Sequence, residues 1–112
     1  MMAHAHTPTV VNGYLTTAAG QRIRLDTRAW FAWLETAISF SYTSQRLEFY
    51  RLHLRKRQQR HHYYWYAHLK VDRKLYNAYA GRSAQLTAAR LDAAGQGLLA
   101  KWRSQRIDAS ST

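Results

Sequence analysis

The stretch Leu47–Gly81, LEFYRLHLRKRQQRHHYYWYAHLKVDRKLYNAYAG, decides how this chain folds. Two runs within it alternate with a period of two, the mark of a half-buried strand, because successive side chains leave opposite faces of the pleat. From Leu47 to Arg57, Tyr50, Leu52 and Leu54 point one way, and Arg51, His53, Arg55 and Arg57 the other. From Tyr63 to Val71, Trp65, Ala67, Leu69 and Val71 share one face, and Tyr64, Tyr66, His68 and Lys70 the opposite one. Gln58 to His62 is a polar, basic loop between them. Asp72 and Arg73 suit a tight connection to a third strand, Lys74 to Ala80, which Gly81 ends. For that strand either Lys74, Tyr76 and Ala78 or Leu75, Asn77 and Tyr79 face outward; a one-residue shift exchanges the two sets.

Working outward, Ile38, Phe40 and Tyr42 alternate with Ser39, Ser41 and Thr43 in a preceding strand, and Thr43 to Arg46 turn the chain. Downstream, Thr87 is an N-cap for a helix through about Arg103. Leu91, Ala94, Leu98 and Trp102 recur there at spacings of three and four, an apolar stripe that matches the apolar face of the strands. Gly95 and Gly97 inside it cost about 1 kcal/mol each relative to alanine, which implies close packing or a break near residue 96. Upstream, Val10 to Leu15 and Arg22 to Leu25 form two short strands with Gly20 in the turn between them. Asp26 suits the N-cap of a short helix, Thr27 to Thr36, with Trp30, Phe31 and Leu34 as its inward stripe. Trp33 lies off that stripe and is free to cover an edge or a partner. The expected architecture is α+β: an N-terminal hairpin and short helix (10–37), a three- or four-stranded antiparallel sheet (38–82), and a C-terminal helix (87–103) packed on it. These form a single domain, 10–106, between a flexible N-terminus (1–9) and a flexible tail (107–112).

Composition narrows the function. A chain of 112 residues buries enough surface to fold without staples. With no cysteine, neither a disulfide framework nor a thiolate metal site is possible. No apolar run is long enough to span a bilayer, and Met1 to Val11 lacks the pattern of a secretory signal; the expectation is a cytoplasmic protein without a membrane partner. Seventeen Lys and Arg face six acids, a formal charge of +11. The excess is local: residues 46–82 hold ten basic residues against Glu48 and Asp72, a net +8. Such a field attracts polyanions and speeds their encounter.

Chemistry is harder to find. His61 and His62 are adjacent and diverge if extended. His53 and His68 approach across strands without a neighbouring carboxylate, and His4 and His6 lie in the N-terminal tail. No metal or other cofactor is expected. Glu48 and Asp72 are isolated, so the clustered acids of a two-metal nuclease are missing. The tyrosines have no acid–base partners and there is no phosphate-binding glycine loop. The chain reads as non-catalytic.

What remains is the polar face of the sheet. It presents Arg51, His53, Arg55, Tyr64, Tyr66, His68 and Lys70 in rows, with Lys74 beside them and Arg57, Arg60 and Arg82 at the edge. Arginine and lysine release condensed counterions, and phenol hydroxyls bond phosphate oxygens. A sheet can enter the major groove of a duplex, and the same tyrosines can stack on the bases of a single strand. A solvated amphipathic sheet is the bland competitor, but scattered cations would serve it as well, and these are clustered. Nucleic acid, duplex DNA first, is the expected partner. RNA or single strands are the alternative, followed by a protein adaptor that uses Trp30, Phe31 and Trp33 and docks an acidic partner on the basic sheet.

The segment YYWYAHLKVDRKLYNAYAGRS, Tyr63 to Ser83, resembles the arm-type DNA-binding domains at the amino ends of tyrosine recombinases, and the likeness runs from Leu47 to Trp102. It is also similar to the WYAY and YLG elements near the start of some LuxR-type regulators: Trp65, Tyr66 and Ala67 match the first, and Tyr79, Ala80 and Gly81 the second, with alanine for leucine. The recombinase resemblance implies three strands on a C-terminal helix, with the sheet entering the major groove of DNA. It does not imply recombination, since the catalytic domain has no counterpart here.

Overall fold

Alternation carries the central strands into place. In the computed structural model, which describes residues 7–110 and side chains as far as residue 105, β5 (Leu52–Gln59), β6 (His62–Val71) and β7 (Lys74–Gly81) form consecutive antiparallel hairpins. Leu52, Leu54, Trp65, Ala67 and Leu69 are buried, while His53, Arg55 and Arg57 leave the other face. Both hairpin turns are two residues long. Gln58 to His62, expected as a loop, is mostly strand: only Arg60 and His61 turn, and Gln59 pairs with His62. At the second turn Asp72 and Arg73 both take positive φ, 52° and 66°, which suits the twist of the flanking strands.

The sheet is wider than the three or four strands expected. It has seven, in the order β3-β2-β1-β4-β5-β6-β7, all neighbours antiparallel except β1 and β4. Val10 to Leu15 is not one strand but a hairpin, β1 (Thr9–Val11) and β2 (Tyr14–Thr16), folded at Asn12–Gly13 with φ of 53° and 81°. Asn-Gly between apolar residues is the strongest short hairpin signal, and it marked this turn. β3 (Arg22–Arg24) adds the outer edge, and β1 joins the hairpin to β4 (Ser39–Thr43) in parallel. The long strand expected from Leu47 begins only at Leu52. Gln45–Leu47 is a 3-10 turn, and Glu48 and Phe49 are left-handed.

Both helices cover one face. α1 (Arg28–Thr36) is capped by Thr27, whose hydroxyl accepts from the Trp30 amide at 3.3 Å, and not by Asp26. Asp26 is left-handed and caps the other helix, its carboxylate accepting from the Ala88 amide at 2.9 Å. α2 (Ala88–Ser110) follows Thr87, whose Oγ1 accepts from the Arg90 amide, as expected of an N-cap. It runs past Arg103 to Ser110, so residues 107–110 of the expected tail are helical. Thr9 of the expected flexible N-terminus belongs to β1. His4, His6, Ser111 and Thr112 lie outside the described residues. α2 does not break at its glycines. A Cβ on Gly95 would stand 2.6 Å from the Leu47 methyls, so this glycine lets helix and 3-10 turn touch; Gly97 meets nothing.

Beneath the helices the core is continuous. Trp30, Phe40 and Trp65 contact edge to face, with centroids 5.4 and 5.2 Å apart. Its polar atoms are paired: Trp30 Nε1 donates to the Leu86 carbonyl at 2.7 Å, Trp65 Nε1 to Ser83 at 2.9 Å and Trp102 Nε1 to Asp72 at 2.9 Å. Tyr42 donates its hydroxyl to Asp92 at 2.8 Å; burial, then the Asp92 bond and charge, hold its pKa above the ordinary tyrosine value. Among the described residues no helix is long and apolar enough to cross a membrane.

Candidate nucleic-acid interface

The face away from the helices is set by register. Ser41, His53, His68 and Asn77 stand opposite one another across four strands, and Ser39, Arg55, Tyr66 and Tyr79 form the next such row. Arg57 and Tyr64 pair beyond them, and Lys70 pairs with Leu75. Of the expected contact residues, His53, Arg55, Arg57, Tyr64, Tyr66, His68 and Lys70 therefore share one surface. Arg51 precedes β5 and adds its charge beside His53. Arg60 is at the exposed tip of the β5–β6 turn.

Lys74 does not belong to this group. The two-residue turn places it directly opposite Val71, so it shares the side of Tyr76 and Ala80, which are buried towards the helices. Leu75, Asn77 and Tyr79 face outward instead. Turn length held this answer: with only Asp72 and Arg73 between the strands, residues 71 and 74 must share a side. Tyr79 is the residue that sequence reasoning left undecided and the structure brings to the centre. Its ring lies 5.9 Å from that of Tyr64 and 5.7 Å from that of Tyr66.

Cations cover this aromatic cluster. The Arg57 guanidinium lies 5.0 Å above the Tyr66 ring, and that of Arg82 lies 5.5 Å above Tyr64. Gln59 donates to the Tyr66 hydroxyl at 3.3 Å. Arg82 reaches the face because the β6–β7 ladder slips at Trp65–Tyr66, leaving Ala80 as an extra residue. Gly81 then turns with φ +122°, where a Cβ would stand 2.8 Å from Gln85 Oε1. Two polar pairs hold the histidine row: Ser41 Oγ lies 3.4 Å from His53 Nδ1, and His68 Nδ1 bonds the side-chain amide oxygen Oδ1 of Asn77. Burial lowers the His53 pKa from the ordinary histidine value, and the positive Arg51 and neighbouring His68 act in the same sense. Together Ser39, His53, Arg55, Arg57, His68, Lys70 and Leu75 line a shallow concavity.

No acid stands among these residues. Asp26, Glu48, Asp72 and Asp92 are held on the helix side, by the Ala88 amide, by Arg103, by Trp102 and by Tyr42 with Ser44. Glu35 is on α1. Lys56 is the one cation of β5 on the covered side, and its ammonium donates to the Leu34 and Glu35 carbonyls at 2.7 and 3.1 Å, closing the end of α1. Burial lowers its pKa against the opposing pull of Glu35.

The expected adaptor surface is altered. Trp30 is fully buried and cannot meet a partner; Trp33 stacks on it at 5.7 Å, and Phe31 and Trp33 both pack against the core. Among the described residues no three of His, Cys, Asp or Glu gather as metal ligands would. Comparison with protein-family models, with curated proteins and with solved structures returned no match.

Proposed function

We propose that this chain is a non-catalytic, cytoplasmic nucleic-acid-binding protein that holds duplex DNA on the open face of its sheet, in an accessory or regulatory role. One observation carries the reading: cations and tyrosines share a face on which none of the described acids stands, those acids being engaged or displayed on the helix side. A merely solvated face has no reason to sort charge this way. Phosphates are the ligand such a surface suits, since arginine and lysine displace condensed counterions and tyrosine hydroxyls donate to phosphate oxygens.

Duplex DNA is favoured over a single strand because guanidinium groups already sit over Tyr64 and Tyr66. Base stacking on those rings would have to displace Arg57 and Arg82, whereas phosphates approach the same guanidinium groups directly. The resemblance of Tyr63–Ser83 to recombinase arm domains points the same way. The test is a titration against random duplex DNA at several salt concentrations, with single-stranded DNA and duplex RNA as competitors at matched salt. The paired substitutions Arg55→Gln and Tyr66→Ala are expected to weaken binding and to lower the log–log salt slope by about 0.9 for the lost arginine contact. Unchanged affinity in that variant overturns the reading; a single strand that outcompetes the duplex replaces the duplex with the stacking mode.

A further inference from the structure

The open face does not end at β4. Because β1 joins β4 in register, Thr9 stands opposite Ser41, Thr16 opposite Thr9, and Arg22 opposite Thr16. Arg22 and Arg24 therefore leave the sheet on the same side as His53 and Arg55. Along the sequence Asp26 and Glu35 offset all but one of the charges of Arg22, Arg24 and Arg28, leaving residues 1–45 at a net +1. In space those acids lie elsewhere, with Asp26 turned to the start of α2 and Glu35 on α1.

Two shallow concavities mark this face. The first holds the cations of β5 and β6 and reaches Ser39 and Thr7. The second runs from Thr7 and Thr9 to Thr16, Thr17 and Gly20. Thr7 lines both, so the two adjoin at that residue and together mark one path, a trough in two parts, across the strands. Arg22 stands beside its far end as the register partner of Thr16, with its guanidinium 4.7 Å from the Tyr14 ring centroid. The trough is cationic at one end, lined by threonines in the middle and cationic again at the other end.

We infer that a DNA duplex lies across the strands along this trough, and that Arg22 and Arg24 form a second phosphate-binding patch at its β3 end. The inference rests on the reading of the open face as a DNA surface. Hydroxyls of Thr7, Thr16 and Thr17 suit the middle, that of Thr9 being donated to the Thr7 carbonyl at 2.9 Å, since neutral donors bond phosphate oxygens and position a backbone without adding charge. Four steps between neighbouring strands, at about 4.8 Å each, separate Arg55 on β5 from the arginines of β3 by about 19 Å. That is roughly six base pairs at about 3.4 Å per pair, so a duplex shorter than this reaches only one patch. Apart from DNA, the arginines have little structural work: both are exposed, and the one ring contact, Arg22 over Tyr14, is a surface cation–π contact.

The experiment compares the double variant Arg22→Gln/Arg24→Gln with Arg55→Gln/Tyr66→Ala. Each is titrated against a duplex of about twenty base pairs and a hairpin with a stem of about four, across a salt series, with thermal unfolding as the check that both remain folded. The expected result is that Arg22→Gln/Arg24→Gln lowers the salt slope on the long duplex by about 1.8, two contacts at about 0.9 each, and by less than half of that on the short one. A wild-type slope for this variant, while Arg55→Gln/Tyr66→Ala lowers it, overturns the second patch and leaves the DNA reading standing. Equal losses on both lengths show an independent site and overturn the continuous path. If neither variant alters binding, the DNA reading itself falls and the inference with it.

Discussion

The two faces of one sheet differ in how they treat the same residue types. On the covered face every tryptophan with a described ring nitrogen bond uses it to hold a loop or helix, and the Lys56 ammonium closes α1. No buried side-chain nitrogen or oxygen among the described residues lacks a partner. On the open face Arg55 and Lys70 stand exposed and, among the described residues, form no ion pair with an acid, and tyrosines meet one another edge-on under arginines. The lesson is one of accounting for charge. Where polar groups are consumed internally they specify the fold, because an unpaired buried group costs about 1–3 kcal/mol. Where they are left over, on a surface already shaped by strand pairing, they are available to a ligand.

The contrast is broken most severely from beneath. Trp65→Ala removes a fully buried ring together with its bond to Ser83, and is expected to destabilise the protein by about 3–5 kcal/mol in denaturant unfolding. Its sheet neighbour Tyr66, changed to alanine, is expected to shift stability much less. Equal losses at the two positions would erase the distinction between the faces.

The glycines of α2 sharpen it next. Gly95→Ala forces a methyl against the buried Leu47 side chain and is expected to cost about 1–3 kcal/mol, overpacking outweighing the gain in helix propensity. Gly97→Ala meets open space and is expected to stabilise by up to about 1 kcal/mol. Chemical denaturation of the two variants measures both signs.

The smallest effect is titration on the open face. The lowered pKa of His53 means that, as pH falls, the unfolded chain takes up this proton before the folded one does. Its contribution to stability is complete above the ordinary value of about 6.5 and declines as pH falls from there towards the lowered one. Bound phosphate favours the protonated ring, so DNA affinity is expected to rise between about pH 7.5 and 5.5 at fixed ionic strength. His53→Gln is expected to lose part of that rise. An unchanged pH profile in the variant would place His53 outside the contact surface.

Much of this was legible locally. Period-two alternation sorted His53, Arg55, Tyr64, Tyr66 and Lys70 onto one face because strand geometry alternates side chains whatever the neighbours are. Thr87 and the stripe through Leu91, Leu98 and Trp102 located α2 on equally local grounds. Lys74 was misplaced although the information was present: the apolar Val71 and a two-residue turn together decide its side. Asp26 was misread for a different reason. A carboxylate just before a helical pattern looks like its cap, and only the folded chain shows it reaching Ala88, 62 residues away.

The amino-acid order by itself determined which residues alternate, where the β6–β7 turn falls and where α2 begins, because those depend on backbone sterics and neighbours a few positions apart. Tertiary structure alone decided that β1 lies parallel to β4, which widens the sheet to seven strands and sets Arg22 on the face of Arg55. Pairing between distant strands is selected by the burial of Val10, Leu15 and Ile23 in a common core. No local preference encodes that choice, since many pairings satisfy the same backbone groups and only one closes the core.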